Sequence, residues 1–123
     1  MILVDTSIWI EHLRQDDRTL AALLDAGRVL THPFVIGELA LGNLQHRDTV
    51  IGALQGLPQA IVASDGEVLR FIDQQSLFGQ GIGYIDAHLL AAARLTPDTS
   101  LWTRDKRLRA VANRLCLAAS VAD

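Results

Sequence analysis

Short apolar runs alternate with helix-like stretches from one end of this chain to the other, and that alternation narrows the fold more than any other feature. Strands separated by helical segments pair in parallel only if each helix crosses back over the sheet, so the pattern predicts an α/β fold with a mostly parallel central sheet covered by helices. Met1 to Val4 reads as a first buried strand. "IWIEHLR" and "RTLAALLDAG" read as helices, with Leu20, Leu23 and Leu24 at helical spacing and Gly27 where a C-terminal cap belongs. "RVLTHPFV" predicts a second strand ending near Pro33, followed by helices in "VIGELALGNL" and "DTVIGALQGLP", the latter stopped by Gly56 and Pro58. "QAIVA" predicts a third strand, and "SDGEVLRFIDQQSLF" opens with Ser64 three residues before Glu67, the capping-box spacing. After "GQGIG" come the helix "YIDAHLLAAARL", a strand in "SLWTR", the helix "DKRLRAVANRL" and a last short strand around "CLAA". Five strands and about seven helices fit residues 1–123 as one domain only if the connections are short.

Composition agrees with a packed domain: half of the 123 residues are hydrophobic and a fifth are charged. The lone cysteine, Cys116, lies in the apolar "LCLAA", where core packing is expected; it has no internal disulfide partner, which fits a reducing cytoplasm. The N-terminal apolar run is too short for a signal peptide, and the uncharged stretch from Thr49 to Ser64 is broken by Gly56 and Pro58, so no membrane span is expected. The net charge is −3, yet six of the eleven basic residues fall between Arg94 and Arg114, giving one locally basic region.

Four acids stand out on this framework. Asp5 directly follows the first strand, Glu38 lies in the first turn of the helix predicted after the second, Asp86 opens the helix before the fourth, and Asp105 follows the fourth. Parallel sheets bind ligands beyond the carboxyl ends of their strands, which is where Asp5 and Asp105 are placed and where the helices of Glu38 and Asp86 would begin. Each acid has a simpler reading: Asp5 capping a turn or paired with a cation, Asp105 as an N-cap, Asp86 and Glu38 as first-turn acids favoured by the helix dipole. Together these explain less, because "FVIGELALG" and "GIGYI" are apolar surroundings for a solvent-facing acid. Two carboxylates ~5 Å apart repel by on the order of 3 kcal/mol at an effective dielectric of roughly 20. Such a cluster must bind a cation or hold protons, and an all-oxygen set favours Mg²⁺ or Mn²⁺ over zinc. With four of the fourteen acids neutralised, eleven basic residues face ten acidic ones, and the charge balance no longer opposes a polyanionic substrate.

The segments "MILVDTSIWIEHL", "HPFVIGELALGN", "GIGYIDAHLLAAA" and "LWTRDKRL" resemble the acidic motifs of PIN-domain ribonucleases, in order and in spacing, and the small single-domain form is similar to VapC-type toxins of type II toxin–antitoxin systems. The resemblance implies a three-layer α/β/α domain with a central, mostly parallel five-stranded sheet. It also implies a Mg²⁺- or Mn²⁺-dependent endoribonuclease, homodimerisation, and inhibition by a cognate VapB-like antitoxin. Carried over by position, Asp5, Glu38, Asp86 and Asp105 match the family's catalytic, metal-holding quartet, while Thr6 or Ser7 and Thr103 match hydroxyl positions near the metal. Arg104, Lys106 and Arg107, beside Asp105, are candidate phosphate contacts on RNA.

Other features carry less. "GQGIG" follows a helix and not a strand, which fails the context of a dinucleotide loop and suggests a hinge at the rim of the site. His12, His32, His46 and His88 show no metal-ligand spacing, and Trp9 and Trp102 are expected in the core. The alternative from another class is a receiver-like signalling domain with Asp65 as phospho-acceptor. Against it, no second acid adjoins Asp5 in "VDTS", and no lysine follows the final strand.

Overall fold

A computed structural model describes residues 1–121. Three parallel strands, β1 (Ile2–Val4), β2 (Val29–Leu30) and β3 (Ser100–Trp102), form a sheet in the order β2-β1-β3. Leu3 stands opposite Leu30 on one side and Leu101 on the other, and Val4 opposite Trp102. The central strand is closed off from water, with Leu3 and Val4 fully buried. Because the chain runs from β1 out to β2 and later to the opposite side of β1, the switch in direction opens a crevice beyond the carboxyl ends of β1 and β3.

The connections are helical: α1 (Thr6–Arg14), α2 (Arg18–Asp25), α3 (Pro33–Ala40), α4 (Arg47–Gln55), α5 (Asp65–Gln74), α6 (Tyr84–Leu95) and α7 (Lys106–Arg114). Helix α6 is the most deeply placed, with every residue from Ala87 to Ala93 buried, and it packs against both α5 and β3. Gly27 takes the left-handed conformation expected of it. Its N–H donates to the Leu24 carbonyl and the Arg28 N–H to the Leu23 carbonyl, which closes α2. Ser64 and Glu67 form the capping box at the start of α5. Trp9 and Trp102 are buried in the main core.

Three expectations need correction. Among the described residues the sheet has three strands where five were expected. The "QAIVA" segment touches β2 only through a single bridge, Gln59 to Thr31: Pro58 has no N–H to offer, and the Ile61 N–H turns to the Thr96 hydroxyl. The "CLAA" segment likewise meets β3 only at Ala118. Cys116 is exposed, not core. It takes a left-handed conformation just past α7, its N–H donating to the Asn113 carbonyl, the same closure that Gly27 gives α2. Finally, α3 begins at Pro33, two residues earlier than the apolar pattern suggested, so Glu38 lies near its end and not in its first turn. The second strand is correspondingly cut short.

The start of α3 is set by Pro33 at the first helical position and by the side chain of His32, whose Nδ1 accepts a hydrogen bond from the Phe34 N–H at 3.0 Å. His32 is fully buried, and burial, with a smaller push from His88, lowers its imidazole from 6.5 to about 4. The other charged neighbour of that corner is Asp65, 3.3 Å from His88 Nε2. His32 is therefore neutral in the folded protein throughout the range where the unfolded chain begins to take up its proton. The depressed folded-state value makes this contribution complete above the unfolded value of 6.5 and lost progressively as the pH falls toward about 4. The loss amounts to about 3 kcal/mol. Denaturant unfolding between pH 7.5 and 4 should show this decline, and His32→Asn should flatten it.

Candidate active site at the carboxyl edge of the sheet

Pairing of β1 with β3 brings the residues that follow each strand together. The Asp5 N–H donates to the Trp102 carbonyl, so the ladder continues one residue past β1 and fixes the aspartate beside Thr103. Asp5 is 7% exposed. Such burial costs a carboxylate several kcal/mol unless donors replace water, and three do. Oδ1 accepts from the Thr6 N–H at 2.8 Å, while Oδ2 accepts from the Ser7 hydroxyl at 3.1 Å and the Thr103 hydroxyl at 2.6 Å. Asp5 is also the N-cap of α1.

The hydroxyls extend the network. Thr103 Oγ1 accepts from the Asp105 N–H, and Ser7 Oγ accepts from the Arg104 N–H, each at 3.1 Å, so both stitch the turn after β3 to Asp5. Thr6 Oγ1 donates to Glu38 Oε1 at 2.8 Å, linking α1 to the end of α3. Asp105 caps α7 through Leu108 N–H, and Asp86 Oδ2 accepts from the Gly83 N–H at the start of α6. The simpler cap readings of Asp5 and Asp105 are thus real, and in Asp5 the cap uses only one of two oxygens.

The four acids share an electric field. The Asp86 carboxyl is held above the usual carboxylate range, first by burial and then by the negative charges of Asp5, Asp105 and Glu38, with the Gly83 N–H opposing the rise. Asp86 thus feels the charge of the other three acids. Among the described residues no group of three His, Cys, Asp or Glu is gathered into a metal cage. Each acid is instead turned in part toward a hydrogen-bond donor of its own. The chemistry of the set still fits a hard divalent cation, which would relieve the repulsion felt at Asp86 and accept oxygen ligands alone.

The basic residues divide. Arg104 is engaged by Glu11 and Asp17, tying the turn after β3 to α1 and to the cap of α2, so its guanidinium is committed to the fold. Lys106 and Arg107 are exposed. Arg107 lies across Gly81, where a Cβ would come within 2.8 Å of its Cδ, and Gly81 is itself left-handed. The "GQGIG" segment is therefore packed beneath an arginine at this point. Beside Glu38 a cleft of about 520 Å³ opens, lined by Ile10, Leu13, Arg14, Asn43 and Gln45 among others. Asp65 opens α5 without a strand before it, accepting from the Tyr84 hydroxyl and pairing with His88, which is not the setting of a phospho-acceptor at a strand end.

The chain has known relatives. The PIN domain family model matches residues 2–114. Ribonuclease VapC32 of Mycobacterium tuberculosis, from strains CDC 1551 / Oshkosh and H37Rv, is 50% identical over 110 residues, covering 89% of each chain. A crystal structure of FitAcB from Neisseria gonorrhoeae superposes with a TM-score of 0.62 at 23% identity, over 92% of this chain and 94% of that one. The chain belongs to the PIN-domain family, and within it to the VapC-type proteins.

Thr103→Val tests the network without changing the size of the side chain. It removes a hydrogen bond to a buried carboxylate and should destabilise the protein by about 2 kcal/mol, read from denaturant unfolding, whereas Arg107→Ala should change stability by less than about 0.5 kcal/mol.

Proposed function

We propose that this chain is the toxin of a toxin–antitoxin pair, an endoribonuclease whose activity depends on Mg²⁺ or Mn²⁺ held by Asp5, Glu38, Asp86 and Asp105. The single observation that carries the reading is the buried Asp5 carboxylate at the end of β1, held by the Thr6 N–H and the Ser7 and Thr103 hydroxyls, with Glu38 joined to the same turn through the Thr6 hydroxyl. The identity to Ribonuclease VapC32 supports RNA as substrate. The strand order supports a three-layer arrangement, because right-handed crossovers in opposite directions from β1 place their helices on opposite faces.

A divalent cation bound by the four acids would polarise the phosphoryl oxygen and acidify a water molecule. The chain's own residues do the rest. Thr103, Ser7 and the Thr6 N–H keep the Asp5 carboxylate fixed, and Thr6 holds Glu38 toward the same space. Lys106 and Arg107 take up phosphates on either side of the cut, with Arg104 supporting from behind. Water oxygen bonds to phosphorus as the bond to the 3′ oxygen breaks, leaving 5′-phosphate and 3′-hydroxyl ends. Single-stranded RNA passes along the cleft beside Glu38, where Arg14, Asn43 and Gln45 meet it.

The partners follow the same reading. An apolar cleft of about 250 Å³ lined by Trp9, Leu13, Leu24, Val50 and Leu57 supports docking of a VapB-like antitoxin. Exposed Ile61, Val62, Leu69 and Phe78 support a homodimer. None of the described helices is long and apolar enough to cross a membrane.

Purified protein incubated with RNA should cleave it with Mg²⁺ or Mn²⁺ and not with EDTA. Asp5→Asn and Asp86→Asn should each lower the rate at least ~100-fold, on the scale of losing one electrostatic contribution to catalysis. Cleavage in EDTA, or cyclic phosphate ends, would overturn the mechanism.

A further inference from the structure

We propose that His32 is a positioning residue for the ribonuclease site: its imidazole caps α3 and, through the rings it packs against, sets the orientation in which that helix presents Glu38. The inference rests on the nuclease reading of the site and adds a residue that the acidic quartet does not include.

The hydrogen bond fixes the form of the ring. Nδ1 accepts from the Phe34 N–H, so it carries no proton; the neutral ring has its hydrogen on Nε2. Protonation at Nδ1 would remove the acceptor and place a cation at the positive end of a helix. Nothing else can do this work at the start of α3. Pro33 has no N–H, and the first turn holds no acidic residue. The helix has only eight residues and includes Val35, Ile36 and Gly37, all weaker helix formers than alanine. Its length and its start therefore depend on the cap, and its second turn carries Glu38.

The rings then connect that start to α6. His32 meets Phe34 edge to face, with ring centres 5.2 Å apart, and His88 at 6.5 Å; Phe34 meets His88 at 4.6 Å and Tyr84 meets it at 4.7 Å. Phe34 and Glu38 stand four residues apart on one face of α3. Tyr84 and His88 stand four apart on α6, bracketing Asp86. Rotation of α3 about its axis is thus limited by Phe34 against His88, in addition to its packing on α1 and α4, and that rotation decides where the Glu38 carboxylate points. Tyr84 is itself held by Asp65 at the start of α5 through its hydroxyl, and the same carboxylate lies 3.3 Å from His88 Nε2.

Two substitutions separate the cap from simple filling. Asn places its side-chain oxygen where Nδ1 stands, and Asn is a strong N-cap; Gln reaches instead toward the Nε2 position and does not cap. In His32→Asn the Phe34 amide should stay protected from hydrogen exchange and Mn²⁺ affinity, measured by calorimetry, should stay within ~3-fold of the parent. In His32→Gln the Phe34 amide should exchange faster and Mn²⁺ affinity should fall at least ~10-fold, both measured well below the melting temperature of each variant. The ¹⁵N shifts of His32 in the parent should report a hydrogen on Nε2 alone. Equal Mn²⁺ affinity in parent and His32→Gln, loss of affinity in His32→Asn as large as in His32→Gln, or no Mn²⁺ binding by the parent would overturn the proposal. RNA cleavage is scored separately. A parent that binds Mn²⁺ but cuts no RNA would refute the nuclease reading, while the contrast between Asn and Gln would still decide the role of His32.

Discussion

The carboxylate of Asp5 accepts hydrogen bonds from the Thr6 amide and from the Ser7 and Thr103 hydroxyls, and the geometry of the whole crevice hangs on that buried anion being satisfied. Two of the three donors come from the turn that Asp5 itself begins. The third comes from 98 residues away and reaches it only because β1 pairs with β3 in one register. A shift of that pairing by one residue would turn Thr103 to the other face of the sheet and leave the acid short of a donor. Sheet register and site chemistry are therefore one constraint.

Around Asp5 the other acids are held less firmly and by different means. Asp105 follows β3 and is carried by the same ladder, its N–H given to Thr103. Glu38 and Asp86 ride on helices, one fastened by a threonine hydroxyl and the other by a glycine N–H. Burial first, and then the negative charges of the other three, raise the Asp86 carboxyl above the usual carboxylate range. Hydroxyls sit between the acids because a hydroxyl can donate to one carboxylate while accepting from the next amide. Thr103 and Ser7 both do so.

The sequence made the helices legible, and the places of Asp5 and Asp105 just after β1 and β3, for physical reasons. Apolar spacing marks helices that bury one face, the Ser64–Glu67 box marks a start, and Gly27 marks an end because a left-handed residue favours glycine. All seven expected helices are present. The edges of the sheet were not legible: "QAIVA" has strand composition, but pairing depends on where its N–H groups go, and Pro58 and the Thr96 hydroxyl decide that from outside the segment. The start of α3 was missed because its cap is a histidine, a residue without strong cap preference that works here only when buried and neutral. Cys116 was misread because apolar neighbours imply a core, whereas its left-handed backbone puts it outside. The commitment of Arg104 to Glu11 and Asp17 could not be seen either, since both partners lie about 90 residues away in the chain.

These two modes of support divide the site into halves with different tolerances. Asp5 and Asp105 move only if the β1–β3 ladder moves, and that ladder is also the centre of the core, so their placement is as stable as the fold. Glu38 and Asp86 depend on how α3 docks on α1 and α4 and how α6 docks on α5 and β3, with a cluster of four rings joining the two helices. Substitutions in that cluster can therefore alter the geometry of two acids while the sheet stays intact. On the proposed function, such changes would appear in affinity for a divalent cation before they appeared in stability. A change at Thr103 or Ser7 acts on both together, because the same hydrogen bonds that hold the acid also close the core over it.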